Sequence, residues 1–165
     1  MPRISAHDAG SQNICAFLDM IAHSELGSAI QAQSDDGYNV LVGSFPGHVH
    51  TFDSYAQHPR KLITLGNLGI ESSAAGRYQF IWPTWHGMID RFRFRDFEPE
   101  TQDRGCIAQI IGAGALVDVN AGRFADAVAK CRHIWASLPG AGYGQHENKL
   151  DALEGAYKRA GGVVA

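Results

Sequence analysis

Phe17-Leu18-Asp19-Met20-Ile21-Ala22-His23-Ser24-Glu25 is the stretch on which the reading of this chain turns. With Ile14 ahead of it, the apolar residues Ile14, Phe17, Leu18 and Ile21 recur at spacings of three and four. That is the stripe of an amphipathic helix, predicted over Ser11–Glu25. Glu25 follows Ile21 by four residues and prolongs the apolar stripe with a carboxylate. A carboxyl on, or just past, a buried face is partly desolvated, and desolvation raises its pKa toward that of a general acid. A glutamate at a helix end that simply points to water has the same spacing, so position alone leaves both readings open.

Outward from this helix, Gly27 and Ser28 break the pattern, and Gly37-Tyr38-Asn39-Val40-Leu41-Val42-Gly43 reads as a short strand in a small hairpin. Ser44-Phe45-Pro46-Gly47 is turn chemistry. The stretch through Pro59, with His48, His50 and His58, lacks periodicity and is predicted to be an irregular, exposed loop. Trp85, Met88, Ile89 and Phe92 form a second helical stripe with Pro83 in its first turn, where the missing N–H costs nothing. Pro99 opens a third helix in the same way, with Cys106, Ile107, Ile110 and Ile111 inward. Phe124 to Trp135 makes a fourth stripe, ended by Leu138-Pro139-Gly140, and Leu150, Leu153 and Tyr157 a fifth. Helices around one small β element give an α+β class. No repeat or low-complexity tract marks a linker.

Composition narrows the chemistry further. A chain of 165 residues with 45% apolar and 19% charged residues is the size of one domain. Such a domain buries roughly two-thirds of its unfolded surface and needs no metal or disulfide to fold. A net charge of −3 supplies no basic field for nucleic acid or anionic lipid. Arg91-Phe92-Arg93-Phe94-Arg95 reads as a solvated face. Cys15, Cys106 and Cys131 lie among apolar residues without a C-x-x-C spacing and read as buried thiols. No apolar run of secretory-signal or membrane-spanning length is present, so the protein is expected to be made in a cytoplasm and to need help to reach anything outside.

Several constellations bear on function. Hydrolysis of a glycoside ordinarily takes two carboxylates, roughly 5 Å apart for retention and 6.5–9.5 Å for inversion. Asp35 and Asp36 are the nearby candidates to join Glu25, although Asp-Asp-Gly is also a common solvated turn, and a single-acid mechanism stays open. His48, His50, Asp53 and His58 are residue types that bind zinc, but their spacing matches no closed zinc pattern. Cys15 and Cys106 occupy core stripes, which argues against a thiol nucleophile. No serine-nucleophile elbow or phosphate-cradling glycine loop occurs. Gly76-Arg77-Tyr78-Gln79-Phe80 and Gly142-Tyr143-Gly144-Gln145 combine planar rings with amide side chains, the equipment that covers apolar sugar faces and binds hydroxyl and N-acetyl groups. Phe80 reads as core.

Phe17 to Glu25, Gly37 to Gly43, His58-Pro59-Arg60-Lys61-Leu62-Ile63-Thr64-Leu65, Ala75 to Gln79 and the long run Ile134 to Gln145 resemble the endolysins of lambdoid phages, the lambda lysozyme family. The resemblance keeps one order from about Ile14 to Gly162. It implies a lysozyme-like α+β fold, mainly helical with a small sheet or hairpin and a cleft between two lobes. One catalytic domain would cover 1–165, with 1–10 a loosely ordered N-terminus. The implied activity is lytic transglycosylation of bacterial peptidoglycan. The β-1,4 bond between N-acetylmuramic acid and N-acetylglucosamine is cleaved without water, leaving a 1,6-anhydromuramic end.

Glu25 matches the family's single catalytic acid. Gly76, Tyr78, Gln79, Gly142, Tyr143 and Gln145 fall in matching motifs and are the candidate sugar contacts. His58 to Leu65 and Pro139 to Gln145 would be mobile lips. No cofactor and no metal are implied. The expected partners are peptidoglycan glycan strands, with functional dependence on a holin, no nucleic acid, no stable membrane insertion and a monomeric state. The expected location is the host cytoplasm until holin-mediated release to the periplasm and cell wall. Three departures stand out: Leu26 intervenes between Glu25 and Gly27, the Gly43–His58 loop is longer, and Asp35 and Asp36 replace non-acidic residues. The alternatives are a muramidase using Glu25 with Asp35 or Asp36, and a non-catalytic peptidoglycan-binding module.

Overall fold

The computed structural model describes residues 1–66, 69–144 and 146–165. The chain divides into two compact units, Met1–Glu25 with Cys106–Ala165, and Leu26–Gly105.

The first unit is helical. It contains α1 (Ala6–Ala9), the first leg of α2 (Gln12–Ala32), the end of α4 (Pro99–Gly112), α5 (Leu116–Asn120), α6 (Phe124–Cys131) and α7 (Leu150–Arg159). The stripe Ile14, Phe17, Leu18 and Ile21 is buried as the spacing demands. Ala16, Met20 and Ala22 are buried too, so this leg of α2 is covered on nearly every side. A helix apolar all round belongs at the centre of a core. Phe17 meets the rings of Phe124 and Tyr157 edge-on at 6.3 and 6.4 Å, and burying each such ring contributes up to about 3 kcal/mol.

The N-terminus, expected to be loose, is tied down. Ile4 is buried, Ser5 caps α1 by accepting a hydrogen bond from the Asp8 amide, and Gly10 closes it in the left-handed region. The stripe predicted to run to Trp135 stays helical only through Cys131. Turns then carry Trp135 inward without a continuous helix.

The second unit begins past Glu25. Gly27 has φ 72° and ψ 157°, so α2 kinks there as the sequence predicts, but it resumes and reaches Ala32. The predicted strand at Gly37–Gly43 is not one. Val40 and Leu41 make only isolated bridges, to Thr51 and Ala75. The backbone around them is spent on turns: the Tyr38 amide donates to the Asp35 carbonyl, and the Asn39 side chain accepts from the Asp35 amide. The hairpin lies further on, where β1 (Ile63–Leu65) pairs antiparallel with β2 (Ile70–Ser72), Thr64 opposite Glu71. Three-residue strands are too short for alternation to announce them.

α3 (Trp82–Phe92) carries Pro83 in its first turn, and α4 starts at Pro99, both as predicted. The core of this unit is aromatic: the Trp85 ring lies 5.0 Å from Phe80 and 4.6 Å from Phe97.

Candidate active site

Glu25 ends the first leg of α2, where the apolar face runs out, and is partly buried. Loss of solvent pushes its carboxyl up from 4.5 to about 7, against the opposing pull of hydrogen bonds from the side chain and backbone of Ser137. The Ser137 hydroxyl donates to Oε1 of Glu25 at 2.5 Å. Behind it, the hydroxyls of Ser24 and Ser137 are 2.8 Å apart. Asn148 Nδ2 lies 3.0 Å from the Ser24 carbonyl, 3.1 Å from the Ser24 hydroxyl and 3.3 Å from the Ser137 carbonyl. A carboxyl poised near neutrality and held by Ser137 can give up a proton and take it back, which is the work of a general acid and base.

The segment that supplies Ser137 continues into Pro139–Gly144. There the Glu147 carboxylate accepts the backbone N–H groups of Gly140 and Gly142, each at 2.8 Å, which holds its carboxyl below the ordinary range. Gly142 adopts φ 76°, which an L side chain would resist. Tyr143 is 56% exposed, with its hydroxyl donating to the His133 carbonyl at 3.0 Å. Gln145 lies outside the described residues.

In the second unit the expectations divide. Tyr78 is 1% exposed and donates its hydroxyl to Asp103 Oδ1 at 2.5 Å; Tyr38 donates to the same oxygen at 2.8 Å. Tyr78 is therefore a core residue that satisfies a buried carboxylate, and offers no ring to a sugar. Gly76 is also buried, with φ 79° and no room for a Cβ beside Gln102 and Phe97, so its part is to make the turn. Gln79 is half-buried, its Nε2 donating to the Gly76 carbonyl at 2.9 Å.

Asp36 forms an ion pair with the buried Arg77 at 2.7 Å; burial alone would push its carboxyl up, but positive partners, that guanidinium among them, hold it below its ordinary range. Asp35 accepts from the Tyr55 hydroxyl at 2.7 Å. His58, placed by sequence in an exposed loop and at the start of a lip, is 1% exposed. Its Nε2 lies 2.8 Å from the Phe80 carbonyl, and its Nδ1 accepts from the Arg60 amide at 3.1 Å. That fixes a neutral imidazole with both nitrogens engaged. Among the described residues no group of three or more His, Cys, Asp or Glu side chains is placed to hold a metal ion.

Sequence reasoning singled out Glu25 as its candidate acid and passed over Ser24, Ser137, Asn148 and Glu147. Ser24 sits beside Glu25 on the chain and was readable as a neighbour. Ser137 is 112 residues away, and no local pattern announces that contact.

The family model for endolysins matches residues 15–164. The chain is 42% identical over 169 residues to the endolysin of Escherichia phage P2, covering all of both chains. It is 43% identical over 150 residues to the endolysin of Escherichia phage lambda, covering 90% of this chain and 91% of that one. Its structure is similar to that of bacteriophage lambda lysozyme complexed with a chitohexasaccharide, with a TM-score of 0.86, 40% identity and complete coverage of both chains. A second structure of lambda lysozyme matches with a TM-score of 0.82 at 39% identity, again over all of both chains. With a lysozyme-like α+β fold, a near-neutral carboxyl at the end of its central helix and these relationships along its whole length, the chain belongs to the endolysin family, the phage enzymes that lyse bacterial peptidoglycan.

Proposed function

We propose that this endolysin is a lytic transglycosylase, and that Glu25 is its one catalytic acid and base. Glu25 protonates the glycosidic oxygen leaving C1 of N-acetylmuramic acid. As carboxylate it then accepts the proton of that sugar's own C6 hydroxyl, while the C6 oxygen bonds to C1. One C–O bond breaks, one forms, the proton returns to Glu25 and no water is consumed. The nucleophile is already part of the substrate, so proximity takes the place of a second carboxylate that would activate water.

The observation that carries this reading is the state of the carboxyls. Glu25 is raised to about 7 by burial, while Asp36 is committed to Arg77 and Asp35 to Tyr55. Gln79, Gly142 and Tyr143 are the proposed sugar contacts. The lambda relative was captured with a chitohexasaccharide, which supports a glycan ligand here. Among the described residues no helix is long and apolar enough to cross a membrane. We propose further that the enzyme acts as a monomer, waits in the host cytoplasm and reaches the wall after a holin opens the inner membrane.

Mass spectrometry of muropeptides released from purified peptidoglycan tests the mechanism. Wild type is expected to release products lighter than the reducing muropeptide by one water, and Glu25→Gln to lose at least about 10²–10⁴ of the rate while remaining folded. Reducing ends in the wild-type digest would overturn the waterless route, and turnover by Glu25→Gln would remove Glu25 from its role.

A further inference from the structure

The hydrogen positions around Glu25 can be deduced. Asn148 Nδ2 faces two backbone carbonyls, those of Ser24 and Ser137. A carbonyl only accepts, so the side-chain nitrogen and not the oxygen must stand there. An amide nitrogen in turn only donates, so the Ser24 hydroxyl, 3.1 Å from it, accepts from Asn148, whose two hydrogens are shared among three acceptors. The Ser24 proton then goes to its other partner, the Ser137 hydroxyl at 2.8 Å, and the Ser137 proton goes to Oε1 of Glu25 at 2.5 Å. Every link points toward the carboxyl.

Resting on the single-acid reading above, we propose that Asn148, Ser24 and Ser137 are positioning residues forming a one-way hydrogen-bond chain. The chain confines the catalytic proton of Glu25 to Oε2 and stabilises the carboxylate between the two proton transfers.

The chemistry follows from the direction of the chain. Oε1 already accepts the Ser137 proton. A proton on Oε1 would leave the Ser137 hydroxyl donating to the weaker acceptor of the acid, the hydroxyl oxygen, whereas a proton on Oε2 leaves it the carbonyl oxygen. Protonation at Oε2 leaves the Ser137 and Ser24 hydroxyls pointing as they do. The proton therefore leaves from Oε2 to the glycosidic oxygen, and Oε2 is where the C6 hydroxyl proton arrives. In the interval Glu25 is a carboxylate with little solvent, and the chain supplies the donor that water would have given. A donor to the charged form lowers a carboxyl pKa, so the chain opposes the desolvation that raises it.

The ionisable neighbours on the same unit do not replace this effect. His23, two residues away on α2, is itself pushed toward the neutral form by burial and by Arg159 on α7. Among the described residues, burial and the side chain and backbone of Ser137 set the state of the Glu25 carboxyl.

The test is the pH dependence of peptidoglycan clearing by Ser137→Ala, Ser24→Ala and Asn148→Ala, with folding monitored by thermal melting. The acid must be protonated to begin, so activity falls as pH rises through the Glu25 pKa. Removing a donor to the carboxylate raises that pKa and moves the alkaline limb to higher pH. The expected shift is on the order of one pH unit for Ser137→Ala and about half that for Ser24→Ala and Asn148→Ala, each with a lower maximal rate. Carbon-13 NMR titration of the Glu25 carboxyl in the full-length protein reads the same shift without substrate.

Folded variants with a slower rate, an unmoved alkaline limb and an unmoved carboxyl titration would overturn the chain and leave a packing role. The two readings fail separately. If Glu25→Gln still turns over, the single-acid mechanism falls, whereas an unmoved titration beside an inactive Glu25→Gln sinks only the chain. Should one variant fail to fold, the other two and the titration still decide the matter.

Discussion

Glu25 is expected to destabilise the fold above neutral pH. Its ordinary pKa of 4.5 applies in the unfolded chain and about 7 in the folded one. Below pH 4.5 the carboxyl is protonated in both states and contributes nothing. Between 4.5 and about 7 the unfolded chain releases its proton while the folded chain keeps it, so stability falls as pH rises, and above 7 the whole cost is present. The gap sets an upper bound of about 3 kcal/mol, and a carboxyl with some solvent contact realises part of it. Glu25→Gln is therefore expected to stabilise the fold by about 1–3 kcal/mol at pH 8 and to change it little at pH 4, as denaturant titrations at the two pH values will read. An equal gain at both would place its origin elsewhere than in titration. At this scale the spacing of Glu25 from Ile21 marks a carboxyl at the end of an apolar face, and only the fold, through burial and Ser137, shows that carboxyl raised to about 7. The sequence misleads about Tyr78, whose fate depends on Asp103, a carboxylate 25 residues away that only folding brings to its hydroxyl.

The turn at Gly76 shows how an element can depend on an absent side chain. A Cβ there would stand 2.2 Å from Gln102 Oε1 and 2.9 Å from the Phe97 ring, at φ 79°. Gln102 cannot step aside: it accepts from the Arg77 amide and donates to the carbonyls of Tyr38 and Phe97. Gly76→Ala is expected to cost about 3 kcal/mol or more, from backbone strain and the clash together. That lowers the melting midpoint by roughly 6–12 °C in a chain of this size. A midpoint within 2 °C of wild type would mean that the turn relaxes at little cost. Other elements announce themselves. α3 and α4 each begin with a proline where no N–H is required, and α7 carries an apolar stripe. The hairpin at Ile63–Ser72 does not, because its few residues carry no period, and the stretch that did alternate, Gly37–Gly43, is claimed by turns.

For the molecule as a whole, composition and pattern point to an α+β chain of one domain's size with a net charge of −3, while the link to glycans rests on the resemblance and the family relationships. Its thiols give a whole-molecule observable. Cys15, Cys106 and Cys131 are buried, and burial pushes the Cys131 thiol up to about 12. Native protein at pH 8 is expected to react with none of its three thiols within minutes of adding a thiol-specific reagent such as dithionitrobenzoate. In guanidinium all three should react at once. Rapid modification of the native protein would show that the core opens more readily than its packing suggests.

Burial of these thiols also makes unfolding a chemical event as well as a conformational one. Once the helices part, three thiolate-forming groups per chain meet oxygen and one another. Crosslinks between molecules then trap what cooling would otherwise restore. The enzyme should recover from heat under a reductant and lose itself to covalent aggregates in air, so that its useful life in an oxidising compartment is set by how often it opens.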